Sequence, residues 1–301
     1  MEERQRGVGF FFVEAAQGID RLLLRAVERA IQGKSFKRIS VKSGHGCHAY
    51  DTGILMFDGT IKKVQDVVDG DVPMGDDSTP RVVLGLSRGR EKMYRIKYFD
   101  GSYYDVNESH ILSLVASQTH GKQKAGRILN VSVKEYSGWS ESKKRTNIGY
   151  KSKVEFKEKV LPIDPYLFGL WLGDGTSAKG EITNIDKEII DYLKTLGAKG
   201  RGITYKIPGL SQSLRDLGVL NNKHIPHAYL TGSREQRLEI LAGLLDTDGY
   251  LDRGSFQIVQ KNKDIADGIV FLARSLGMHA TLNQIKKTCT TSIICTRLFF
   301  I

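Results

Sequence analysis

The chain of 301 residues is poor in cysteine, proline and tryptophan, with three, six and two of each. Cys47, Cys289 and Cys295 are too few, and odd in number, for a disulfide framework, and the C-x5-C spacing of the last two does not suit a zinc site. Such usage points to a reducing compartment. Scarce proline argues against long disordered linkers. No run approaches the roughly 18 apolar residues that a membrane-spanning helix needs. The one dense apolar patch near the start, Phe10 to Val13, is too short for the core of a secretion signal. These absences predict a cytoplasmic protein with no membrane partner. Acidic residues are also in the minority, 34 against 45 Lys and Arg, which leaves a net charge of +11. That balance favours a polyanionic partner, most often nucleic acid.

The length predicts two or three domains at roughly 100–200 residues each. Residues 19–31 have helical periodicity, with Ile19, Leu22, Leu23, Ala26, Val27, Ala30 and Ile31 on one face and Gly33 as the stop. A strand-like run, Arg38 to Val41, leads into Ser43-Gly44-His45-Gly46. From Cys47 onward, short β-type runs alternate with turns at Asp58-Gly59, Asp69-Gly70 and Asp100-Gly101, the pattern of an all-β domain. Residues 117–160 carry eleven basic side chains against four acidic ones, with Tyr136, Trp139 and Tyr150 interleaved. That stretch reads as a solvated linker or as a DNA-contacting insertion, with Lys122, Lys124, Arg127, Lys143, Lys144 and Arg145 as contact candidates.

Beyond Leu161 a repeat emerges. LFGLWLGDG (167–175) matches LAGLLDTDG (241–249) position by position, and the helical run 186–198 echoes 262–278. One supersecondary unit used twice implies a pseudo-two-fold domain. If both nonapeptides are helices, Gly169 and Gly173 share a face, as do Gly243 and Thr247, so two backbones can approach closely. Leu167, Leu170 and Trp171, or Leu241, Leu244 and Leu245, then face two flanking half-cores. Gly175 and Gly249 are expected as glycine C-caps. Asp174 and Asp248 would meet at helix ends that already carry partial negative charge, an arrangement that calls for a positive partner. A hard divalent cation with oxygen ligands, such as Mg²⁺, suits it.

These nonapeptides resemble the paired motifs of LAGLIDADG (dodecapeptide) homing endonucleases. KHIPHAYL (223–230) and SREQRLEILAGLLDTDG (233–249) are similar to that family's connecting block and second-motif region. The resemblance covers about 161–288. It implies an α+β fold of αββαββα repeats acting as a monomer on a long double-stranded DNA target. It implies metal-dependent phosphodiester hydrolysis with Asp174 and Asp248 as metal ligands. Lys223, at a basic position of the connecting block, would offset developing phosphate charge.

A second resemblance begins at Cys47. CHAYDTGILMFDGTIKKVQDVVDGDVP (47–73) is similar to the first splicing block of inteins, the Hint fold, and HILSLV (110–115) to the second. It implies that the Cys47 thiol attacks the Gly46 carbonyl while His110 protonates the departing amide nitrogen. The family usually has threonine three residues before this histidine; here Asn107 stands in its place. The closing His-Asn block is not found, so the sequence predicts a partial Hint domain that cannot splice alone: a gene fragment, a frameshifted remnant, or one half of a split system with a C-terminal intein fragment as partner. The expected layout is a host segment over 1–46, a Hint part over 47–116, the basic stretch over 117–160, the endonuclease over 161–288 and a truncated tail over 289–301. Ser43 to Gly46 resembles the start of the phosphate-binding loop of phage terminase large subunits, which would place the protein in a bacterial or phage-infected cell. Two other functions fit the same residues: a DNA-binding remnant with an incomplete site, or a Hint protein that only cleaves itself before Cys47.

Overall fold

The computed structural model describes residues 2–14, 46–98, 102–119, 124–252, 254–288 and 292–300. The helix expected over 19–31, the strand over 38–41, Ser43 to His45, the Asp100-Gly101 turn, Lys122 and Cys289 lie outside them. The chain divides into two compact units, Met1–Lys151 and Ser152–Ile301.

The first unit is largely β. It contains β1 (Glu2–Glu14), β2 (Cys47–Ala49), β3 (Gly53–Leu55), β4 (Ile61–Lys63), β5 (Val83–Lys97), β6 (Tyr103–Asn107), β7 (Ile111–Ala116), β8 (Ile128–Ser132), helices α1 (Val133–Ser137) and α2 (Glu141–Arg145), and β9 (Asn147–Gly149). Strands β1, β2, β6 and β5 close into a small barrel, β3 and β4 pair, and β8, β7 and β9 form a sheet. Residues 2–14, which the sequence assigns to a host segment, are strand β1 here, with Phe11 opposite Cys47. The turns at Gly59 and Gly70 have φ of 86° and 85°, the positive values for which Asp-Gly is suited.

The basic stretch is folded rather than a free linker. Leu112, Leu114 and Ala116 alternate inward along β7 and need cover. Val131 and Val133 supply it, and Tyr136 and Trp139 pack against the same cluster. These two of the interleaved aromatics therefore contribute to a core. Helices α1 and α2 start where Ser132 and Ser140 accept backbone N–H groups from Glu135 at 3.1 Å and Lys143 at 3.4 Å.

The second unit repeats one pattern. The first copy is α3 (Pro165–Asp174), β10 (Glu181–Thr183), α4 (Lys187–Thr195), β11 (Lys199–Arg201), β12 (Thr204–Lys206) and α5 (Leu210–Asp216). A short helix α6 (His227–Leu230) leads into the second copy: α7 (Arg234–Asp248), β13 (Gly249–Asp252), β14 (Ser255–Gln260), α8 (Lys263–Ser275), β15 (Ala280–Thr288) and β16 (Ser292–Phe300). The sheets run β10-β12-β11 and β13-β14-β16-β15. A single bridge, Gly175 to Ile182, stands in the first sheet where β13 stands in the second. Of the αββαββα order expected, the first copy keeps the closing helix α5, with the bridge in place of one strand, and the second copy shows αββαββ among the described residues. Residues 292–300 are not a loose tail: β16 is an inner strand between β14 and β15, the counterpart of β12, with Leu298 opposite both Ile258 and Leu282.

Local chemistry fixes the helix starts. Asp164 caps α3 ahead of Pro165, Asp186 caps α4, Asn262 caps α8, and Ser233 with Gln236 forms a reciprocal capping box on α7. The extended lead-in 152–160 is tied down by fully buried Arg237, which donates to Val154 O at 2.6 Å, Gly232 O at 3.0 Å and Ser275 Oγ at 2.6 Å.

Candidate active sites

Helices α3 and α7 meet along the small residues that the repeat marks out. A Cβ on Gly169 would strike Ile240 O, and one on Gly243 would strike Tyr166 O and come within 2.7 Å of Leu170 N. Gly173 lies against the Thr247 side chain, whose hydroxyl donates back to Gly243 O at 2.9 Å. Phe168, Leu170, Trp171, Leu241 and Leu244 are all buried in one hydrophobic cluster, so the helices form the spine of a single core rather than facing two half-cores.

Both helices end in extended backbone, with φ and ψ of −76° and 146° at Gly175 and −83° and 151° at Gly249. Both glycines are the C-caps expected, their N–H groups donating back to Trp171 O and Leu245 O. They are required by space: a Cβ would strike Trp171 at Gly175 and Leu245 at Gly249. Lys223 closes over the end of α3, its Nζ donating to Trp171 O at 2.8 Å, Leu172 O at 3.0 Å and Gly175 O at 2.7 Å, and lies 4.8 Å from the Trp171 ring centre. An ammonium at a helix C-terminus is favourably placed, and all three of its protons are engaged. Burial pushes Lys223 down to about 8, against the opposing pull of Asp248 and then Asp174.

Asp174 and Asp248 sit at this shared end. Burial raises Asp174 above the usual carboxylate range, opposed by the Asn184 hydrogen bond and Lys223. Burial also raises Asp248, reinforced by the charge of Asp174 and opposed by Lys223. A half-buried carboxylate at Asp174 and an exposed one at Asp248, beside a single ammonium, make an oxygen donor set short of positive charge, which fits a hard divalent cation. Among the described residues, no cluster of three or more His, Cys, Asp or Glu is assembled to hold a metal. A cleft of about 510 Å³ lined by Asp174, Asn184, Asp186, Asp246 and Thr247 opens beside this end.

The sequence reading missed two amides. Asn184 accepts the Asp186 N–H at 2.6 Å through Oδ1 and donates Nδ2 to Asp174 at 2.7 Å. Gln260 accepts the Asn262 N–H at 3.0 Å and points its amide nitrogen at Asp248 at 3.5 Å. Both lie two residues before a helix cap, at equivalent places in the repeat, so extending the repeat alignment backwards from those caps would have found them. Of the basic candidates, Lys124, Arg127, Lys143 and Arg145 are exposed, Lys143 rests 3.6 Å from the Trp139 ring centre, and Lys144 pairs with Glu141 at 2.9 Å.

In the first unit, Cys47 opens β2 and is fully buried. Its N–H donates to Asn107 Oδ1 at 2.9 Å. Asn107, also fully buried, closes β6 and donates Nδ2 to Glu91 Oε2 at 2.6 Å and to Ser109 Oγ at 2.8 Å. Gly46 lies against His110: a Cβ there would come within 2.9 Å of His110 Nδ1, a buried atom that has no hydrogen-bond partner among the described residues. His48 packs edge-on to His110 at 4.8 Å between ring centres, which the sequence reading did not foresee. Burial pushes both imidazoles down to about 4, with His48 adding to the shift of His110. Burial, then the charge of Glu91, pushes the Cys47 thiol up to about 12. A cleft of about 410 Å³ reaches Gly46, His48 and His110.

Comparison with known proteins matches the two units to two families. Residues 47–159 match the family model "Hom_end-associated Hint", and 224–297 match "Homing endonuclease". The replicative DNA helicase DnaB of Mycobacterium intracellulare is 42% identical over 125 residues, which cover 41% of this chain and 21% of the helicase. The catalytic subunit of the V-type proton ATPase of Candida tropicalis is 31% identical over 75 residues, 25% of this chain and 7% of that protein. The homothallic switching endonuclease of Saccharomyces cerevisiae is 28% identical over 162 residues, 39% of this chain and 28% of that enzyme. The chain thus spans under a third of the length of each of these relatives. Among solved structures, I-DmoI in complex with DNA and Ca is similar at 16% identity and a TM-score of 0.33, covering 46% of this chain and 83% of that one. The chain joins a Hint-like domain to a homing endonuclease domain.

Proposed function

We propose that the second unit is a LAGLIDADG-type endonuclease that cuts double-stranded DNA at a long site with the help of a divalent cation. The observation that carries this reading is the convergence of Asp174, Asp248 and Lys223 at the paired ends of α3 and α7. Asp174 and Asp248 would hold the cation, Mg²⁺ being the best fit, and it would supply charge neutralisation at the phosphate and an activated water. The amide of Asn184 holds one carboxylate in place from the side, and Lys223 fixes the backbone that carries it. The small side chains along the helix seam keep both carboxylates on rigid elements. The match to a homothallic switching endonuclease agrees with endonuclease chemistry.

The DNA target is inferred to be the host coding sequence uninterrupted at the Gly46 codon. The test is Mg²⁺-dependent cleavage of duplex DNA carrying that joined sequence. A double-strand cut near the junction, lost in EDTA and in Asp174→Asn, is the expected result. Tight binding without cutting would favour a DNA-binding remnant instead.

The first unit is inferred to rearrange the Gly46–Cys47 bond. The Cys47 sulfur bonds to the Gly46 carbonyl carbon, the carbon–nitrogen bond breaks, and the thiol proton ends on the freed Cys47 amine. No atom is gained or lost. His110, held neutral down to about pH 4 and set against Gly46, is placed to carry that proton. Hydroxylamine, which cleaves thioesters, should release residues 1–46. Cys47→Ala should abolish that release and leave DNA cutting intact.

A further inference from the structure

Asn107 stands where a threonine is usual, and the exchange changes the chemistry. A threonine hydroxyl rotates and accepts or donates as needed. An asparagine amide has one accepting and one donating end, and only one of its two flips offers oxygen to the Cys47 N–H. In the wrong flip the amide NH₂ faces the Cys47 N–H, donor against donor, in a fully buried site. Something must therefore select the flip.

We propose that Glu91 is the positioning residue of the Gly46–Cys47 junction, selecting the flip of Asn107 that presents Oδ1 to the Cys47 amide. The role rests on the thioester reading above. Glu91 lies on β5, and Cys47 and Asn107 on β2 and β6, all within the barrel. Its ionised carboxylate accepts only, so the Asn107 side facing it must be nitrogen, as the 2.6 Å contact has it. Ser109 takes the second proton of Nδ2 at 2.8 Å. With both donors engaged, Oδ1 is aimed at Cys47 N at 2.9 Å. Holding that N–H fixes the plane of the scissile peptide against His110, which a freely flipping amide would not do.

The experiment uses the full chain and measures hydroxylamine-induced release of residues 1–46 by intact mass. Glu91→Ala should slow release about tenfold, the rate equivalent of one hydrogen bond lost. Glu91→Gln can still accept through its carbonyl oxygen, so it should stay near the wild-type rate and serve as the folded control. If the carboxylate acted only by its charge on the Cys47 thiol, Glu91→Gln would shift the rate as far as Glu91→Ala, which would overturn the role. The decisive comparison is in Asn107→Thr, where Glu91→Ala should have little effect because a hydroxyl needs no orientation. An equal loss in both backgrounds would assign Glu91 to general packing and overturn the proposal. Release from wild type that is also seen in Cys47→Ala, or no release from wild type, would sink the thioester reading itself. Wild-type release unchanged by Glu91→Ala would sink the positioning role alone.

Discussion

Three ionisable side chains at the ends of α3 and α7 fix how DNA cutting should depend on pH. Lys223 is pushed down to about 8 by burial, so it loses its charge as pH rises through that value. Its ammonium holds Trp171 O, Leu172 O and Gly175 O together, and a neutral amine has one donor fewer for those three carbonyls. Single-turnover cleavage is therefore expected to fall above about pH 8. At the acid end the sign is opposite in origin. Asp174 and Asp248 are both raised, so they take up protons at a higher pH than an exposed aspartate and lose the negative charge that a cation needs. Cleavage should decline as pH falls through that raised range, and extra Mg²⁺ should restore it, because proton and metal compete for the same oxygens. A rate profile across about pH 5 to 10 at two Mg²⁺ concentrations checks both limbs. An alkaline limb absent from the profile would remove Lys223 from the site chemistry. Asn184→Ala, which frees the Asp174 carboxylate from its side support, should lower the cleavage rate about tenfold while leaving DNA affinity within a few-fold.

The α3–α7 seam tolerates no added carbon, and this gives the sharpest stability prediction at the level of elements. A Cβ at position 243 would strike the backbone of α3 at Tyr166 O and Leu170 N, neither of which can rotate away. Gly243→Ala should destabilise the unit by roughly 2–3 kcal/mol, read as a lower midpoint in urea unfolding with an unchanged slope. An unchanged midpoint would mean that the helices can part without loss. This seam was fully legible in the sequence because the repeat displays it twice. The spacing of Gly169 and Gly243, the ends at Asp174 and Asp248, and the helices α4 and α8 all follow from aligning one copy on the other. Elements whose shape depends on distant partners were not legible. Gly175 and Gly249 are C-caps as expected, but the requirement for glycine there comes from crowding by Trp171 and Leu245, which position alone does not show. Tyr136 and Trp139 sit among lysines in the sequence, yet β7 presents an apolar face that they help to cover. Residues 292–300 show no pattern that marks a strand's partners, yet β16 lies between β14 and β15 in the sheet. Cys47, Asn107 and His110, proposed here for the splice junction, were marked by sequence blocks, whereas Glu91 lies on a strand between the blocks and only the barrel brings it to Asn107.

At the scale of the whole molecule, the division of labour turns on where the endonuclease unit begins. The repeat starts at Leu161, whereas the compact unit starts at Ser152, and the family match for the Hint-like domain runs on to residue 159. The lead-in 152–160 therefore belongs largely to one domain by sequence similarity and to the other by packing. What holds it is polar. Val154 donates to Ser275 O at 2.8 Å, Lys159 O accepts from Gln236 at 2.6 Å, and Arg237 Nη2 donates to Val154 O at 2.6 Å from a position with no exposure to solvent. A buried guanidinium that loses an acceptor leaves part of its charge unsolvated, at a loss of about 3 kcal/mol. A fragment spanning 152–301 is expected to unfold in one cooperative step, and one spanning 161–301 at a clearly lower urea midpoint. Arg237→Met should narrow the gap between the two fragments, because the apolar side chain asks nothing of Val154 O. Equal midpoints for the two fragments would show that the lead-in is a passive cover. The expected difference would instead make the lead-in a structural part of the second unit, so that separating the two proposed activities requires a cut before Ser152 rather than at the repeat.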